Sequence, residues 1–164
     1  MSGHNMENVI SEALSGDAQR NALALASFFR ENDVMCERSS VGYWADKIYF
    51  VCNYKNQSVC YISINEHENN TWYVTGDDSD SDWYANYPLD DNHKEVAWEN
   101  IDVCGDCGGC GDVNVASRKT IFGKEFDRVC LVTIKFTNPD ADTIECMKAV
   151  FGARIKYIQQ NEAV

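Results

Sequence analysis

The segment from Asn138 onward constrains the fold most. Asn138 is a candidate N-cap, Pro139 occupies a first helical position, and Asp140 and Asp142 sit where the positive end of a helix favours negative charge. Ile144, Met147, Phe151, Ile155 and Ile158 then recur at helical spacing. A stripe of five large apolar side chains on one long helix requires a broad apolar surface to cover, and a β-sheet supplies one.

The rest of the chain provides that sheet. Two helices come first. Met6 to Leu14 presents Val9, Ile10 and Leu14, and Ala18 to Glu31, capped by Asp17, presents Ala22, Leu25, Ala26 and Phe29. Lys47 to Tyr54 and Ser58 to Asn65 are β-branched and aromatic runs around Lys55-Asn56-Gln57, a hairpin signature. Its simplest register sets Tyr54 opposite Ser58 and Cys52 opposite Cys60. Thr71 to Thr75 is a third strand, and Gly76 to Asp91 reads as a long surface loop. His93 to Trp98 fits a helical turn or an edge strand. Arg118 to Phe122 and Val129 to Phe136 are further strands. Helices and strands thus segregate along the chain. That predicts one α+β domain over residues 1–164, with a mainly antiparallel sheet, N-terminal helices and a long C-terminal helix packed on it. Residues 1–5 are polar, precede a second methionine, and read as a leader outside the fold.

Charge and cysteine usage narrow the function classes. The 26 acidic and 14 basic side chains give a formal net charge of -12. Such a surface repels phosphate backbones and anionic lipid, which argues against nucleic-acid and membrane partners. No apolar run is long enough to span a bilayer, and no export signal is visible. The 8 cysteines are therefore expected in a reducing, cytoplasmic setting, as metal ligands and packed thiols rather than a disulfide framework.

Three cysteines cluster in Cys104-Gly-Asp-Cys107-Gly-Gly-Cys110-Gly. Cysteines two residues apart can turn their sulfurs toward one ion, and the glycines let the backbone fold tightly around it. Structural zinc takes four ligands in a tetrahedron. Cys130 is the candidate fourth, with Cys36, Cys146 and His93 as alternatives. An iron–sulfur cluster is the competing cofactor, but that motif needs a further cysteine soon after Cys110, and Asn114 stands in its place. No His-x-Glu partnered by a Pro-Cys pair is present, so a zinc deaminase is not indicated.

Other patterns are weaker. Trp44, Tyr49 and Trp72 are candidate ligand-binding residues, since aromatics on a sheet face can hold a flat ligand or a sugar. Asp77, Asp78, Asp80 and Asp82 lack the glycine and terminal glutamate of a calcium loop and read as a solvated acidic segment. No phosphate loop, dinucleotide fingerprint or nucleophile elbow occurs.

The segments Ile101-Asp-Val-Cys104-Gly-Asp-Cys107-Gly-Gly, Thr120-Ile-Phe-Gly-Lys-Glu-Phe126, Val129-Cys130 and Asn138-Pro-Asp-Ala141 resemble a family of small uncharacterised bacterial proteins. The likeness covers the second half of the chain well and the first half weakly. It implies a cytoplasmic bacterial protein with Cys130 reading alongside the cluster, and it carries over no catalytic residue. Together these readings predict a zinc-stabilised module that binds a small ligand or acts as a sensor, without catalysis. A thiol redox enzyme using Cys104 with Cys107, or Cys52 with Cys60, is the alternative. A third is an acidic module docking on a basic protein.

Overall fold

The computed structural model describes residues 2–39, 47–76, 83–105 and 116–162, with side chains from Met6 onward. Among them are helices α1 (Ser2–Ala13), α2 (Gly16–Glu31), α3 (Asp91–Glu99) and α4 (Ala141–Glu162). The strands are β1 (Met35–Arg38), β2 (Ile48–Tyr54), β3 (Gln57–Asn65), β4 (Thr71–Gly76), β5 (Ile101–Val103), β6 (Ser117–Ile121) and β7 (Lys124–Thr137). All strand pairings are antiparallel, in the order β1-β2-β3-β4-β7-β5, with β6 pairing β7. The fold is α+β. None of the described helices is long and apolar enough to cross a membrane.

Alternation along the strands creates one apolar face. Phe50, Ile62, Val74 and Phe136 are successive cross-strand partners and all are buried. Phe151 of α4 sits edge-on to Phe136, with centroids 6.3 Å apart, and 5.9 Å from Phe29 of α2. These contacts seat α2 and α4 on that face. Burial of such side chains contributes about 1.5–3 kcal/mol each. All five residues of the α4 stripe are buried, as are all four of the α2 stripe. The opposite face carries the half-buried Tyr49, Tyr61 and Tyr73 and the exposed Lys135. There Tyr49 stacks on Tyr61 at 5.8 Å, and Lys135 Nζ lies over the Tyr73 ring at 4.8 Å.

Several boundaries move. Helix α1 begins at Ser2, so residues 2–5 form its first turn. Ser15, not Asp17, is the N-cap of α2, and its N–H and hydroxyl are tied to Asn70 Oδ1. Helix α4 is capped by Asp140, whose carboxylate accepts from the Thr143 N–H at 2.8 Å. Asn138 instead serves the sheet: its backbone N–H donates to the Trp72 carbonyl and its Oδ1 accepts from the Trp72 N–H, each at 2.9 Å. The β2–β3 turn is the two-residue Lys55-Asn56, both at positive φ, so Tyr54 pairs with Gln57 rather than Ser58. A bulge then restores Cys52 opposite Cys60.

The region His93 to Trp98 lies within α3, and β7 starts five residues earlier than its apolar run. Phe122-Gly123, again at positive φ, forms the β6–β7 turn. Part of the segment read as surface loop is core: Trp83 and Tyr84 are buried against Phe122. Tyr84 O and Ala85 O accept from the N–H groups of Phe122 and Gly123. Asp77, Asp78, Asp80 and Asp82 lie outside the described residues.

Candidate metal centre and hollows

Two of the four expected zinc ligands, Cys104 and Cys130, are described, and both stand at the β5–β7 ladder. Val103 pairs with Val129, and Cys104 N–H donates to Arg128 O at 2.7 Å. Cys104 therefore faces Arg128, diagonal to Cys130 on the neighbouring strand. Such diagonal partners stand about 7–8 Å apart at their α-carbons, and their side chains can lean together. Both thiols are half-buried. Cys107 and Cys110 lie outside the described residues. Among the described residues no group of three or more metal-ligating side chains surrounds one point.

Two further side chains join this locus. Arg128 Nη2 lies 3.7 Å from Cys104 Sγ, and the Cys130 thiol is hydrogen-bonded to Asp102. Burial pushes the Cys130 thiol up, and the Asp102 carboxylate beside it acts in the same direction. A bound divalent cation would invert that balance, since metal coordination deprotonates a thiol outright. Neither residue was expected from the motif. The available signal was two-residue alternation, because Asp102 and Cys104, and Arg128 and Cys130, share a side of their strands.

The alternative fourth ligands are displaced. Cys36 lies on β1, four strands from β7, or about 19 Å at ordinary strand spacing. The Cys146 thiol is buried in α4 and donates to the His93 carbonyl at 3.3 Å. Burial, with Asp90 adding to it, pushes Cys146 up to about 12. His93 is bound into the start of α3, where Nδ1 lies 2.6 Å from the carboxylate of the N-cap Asp90.

Of the aromatic set, the two described members, Tyr49 and Trp72, do not share a pocket. Trp72 pairs with Ile64 on the helix-covered face and is 1% exposed, whereas Tyr49 is on the opposite face. Strand alternation separates them, and Trp44 lies outside the described residues. Trp72 instead lines a hollow of about 500 Å³ between the N-terminal turns of α2 and α4, with Arg20, Asn21, Asn138 and Asp140. Its indole N–H is closed to solvent and has no hydrogen-bond partner among the described residues. A smaller hollow of about 260 Å³ at one end of the sheet is lined by Lys47, Ser63, Asn65, Glu66, His67 and Tyr73.

The Cys52 and Cys60 thiols are fully buried in the sheet. Burial holds Cys52 well above the usual thiol range, the reverse of what a redox nucleophile needs.

In comparison with known proteins, no family model, no curated protein and no solved structure matches the chain.

Proposed function

We propose that the protein is a zinc-stabilised, small-ligand-binding or sensor module without catalysis, working in the reducing bacterial cytoplasm. Cys104, Cys107, Cys110 and Cys130 are the ligands of one structural zinc. The observation carrying this reading is that Cys104, one residue past β5, faces Arg128 of β7, diagonal to Cys130, and lies close in sequence to the other two cysteines. A four-thiolate site closes that segment onto β7, and its binding energy is folding energy. Asp102 and Arg128 border it and set its local charge. The hollow beside Trp72 is the candidate small-molecule site, its volume lying within the range of ligand pockets.

Metal analysis of protein purified without chelator is expected to find about one zinc per chain. Cys104→Ser and Cys130→Ser should each lower occupancy at least tenfold. Absence of metal, or full zinc in both variants, would overturn the proposal.

A further inference from the structure

Strands β1, β2 and β3 each carry one buried cysteine, and the register sets them in a single row: Cys36 opposite Cys52, and Cys52 opposite Cys60. The Cys52 thiol is hydrogen-bonded to both neighbours. None of the three belongs to the proposed zinc site, so their chemistry is independent of whether zinc binds.

The two pairs are not equivalent. The Ser39 N–H donates to Tyr49 O at 2.8 Å. Extending the β1–β2 register by one residue sets Ser39 opposite Tyr49, so theirs is a hydrogen-bonded pair. Pair type alternates along an antiparallel ladder. Three residues back, Cys36–Cys52 is therefore a non-hydrogen-bonded pair, the type with α-carbons about 4.5 Å apart and side chains closest. The backbone N–H and C=O of one strand residue point to the same side. Cys52, unbonded to β1, thus turns its backbone toward β3. Its pairing with Cys60 is the wider type, about 5.5 Å, and lies at the bulge. A disulfide requires β-carbons about 3.5–4.5 Å apart, which the closer pair approaches best.

We propose that Cys36 and Cys52 are a latent disulfide pair, closed by exchange with a small-molecule disulfide, while Cys60 stays a thiol. One thiolate attacks a sulfur of the small disulfide and expels one equivalent of small thiolate. The second cysteine then attacks the mixed disulfide and expels the other. The two protein protons end on the two released thiols, and the small disulfide is the species reduced.

Access comes through the sheet edge. β1 is four residues long and, among the described residues, is the terminal strand of the sheet. Such an edge opens at lower cost than the sheet centre. The hydrogen bond with Cys52, together with burial, holds the Cys36 thiol up, and burial holds Cys52 up; both stay protonated while β1 is docked, so the bond forms during folding or from the opened edge. Once closed, it clamps β1 and the helices resting on it.

The test is refolding of the full chain in a mixture of oxidised and reduced glutathione, followed by alkylation and tryptic mapping. Cleavage after Arg38, Lys47 and Lys55 separates the three cysteines. The expected product links the Cys36 and Cys52 peptides and leaves Cys60 alkylated. Cys60→Ser should retain the link and Cys36→Ser should lose it. The linked wild-type chain should melt on the order of 6–12 °C above its reduced form, as expected for closing a loop of this length. A Cys52–Cys60 link would overturn the proposal, as would recovery of all three cysteines alkylated. Because the wild-type map alone distinguishes these results, poor folding of a variant does not blunt the test.

Discussion

Replacing Arg154 with methionine probes the most unusual group in the core. Arg154 is 4% exposed on α4, within a helix face otherwise buried through apolar residues. Its Nε donates to Ser58 O at 3.1 Å, next to the β3 bulge. The guanidinium carbon lies 5.8 Å from the Trp83 ring centroid and 5.7 Å from that of Tyr157. Methionine keeps length and apolar bulk while removing the charge and the donor. The lost charged hydrogen bond costs about 1.5–3 kcal/mol, and the desolvated ring contacts add about 1–2 kcal/mol. Relief from burying a cation offsets a few kcal/mol of this. A net loss of about 2 kcal/mol results for Arg154→Met. Arg154→Ala also leaves a void and should lose about 4 kcal/mol. Urea denaturation followed by tryptophan fluorescence measures both, and an unchanged slope would show that the transition is comparable. If Arg154→Met is as stable as wild type while Arg154→Ala is not, the cation contributes nothing and the side chain serves only as bulk.

Two further perturbations test local devices. The Thr143 N–H bonded to the Asp140 carboxylate holds that group below the usual carboxylate range. A depressed folded pKa contributes stability that is present above the unfolded value and lost as pH falls through the folded one. Asp140→Ala should therefore cost about 1 kcal/mol near neutrality, and the difference from wild type should shrink below about pH 4 in acid-unfolding titrations. Gly76→Ala would put a β-carbon 2.6 Å from Tyr84 Oη, 2.8 Å from Val132 O and 2.9 Å from Ile134 Cγ2. A fall of about 2 kcal/mol or more is expected by thermal melting, and a neutral result would mean that β4 and β7 can part there.

Long, strongly periodic elements were legible in the sequence. The buried sets of α2 and of the α4 stripe follow from spacing alone, whereas Cys52 meets Cys60 only because a bulge offsets the shorter turn. Elements held by partners rather than pattern were not. β1 and β5, at four and three residues, are too short to show a period and exist because β2 and β7 supply their hydrogen bonds. Phe122 at positive φ defies local preference. Its turn is held by Tyr84 and Ala85, and its ring is packed against Trp83 and Tyr84. Asn138 and Asp140 are equally good caps by type, and the pull of Trp72 on Asn138 decides between them.

What the sequence determined by itself is therefore periodic and local: helix faces, the central hairpin and the class of fold. Only the tertiary structure decided which distant residues meet. It set Arg154 against Ser58, Cys36 beside Cys52, Asp102 beside Cys130, and Tyr49 and Trp72 on opposite faces of one sheet. The physical reason is that spacing fixes the direction of a side chain relative to its own backbone. The neighbour it meets is fixed by register and strand order, which arise from the packing of the whole chain.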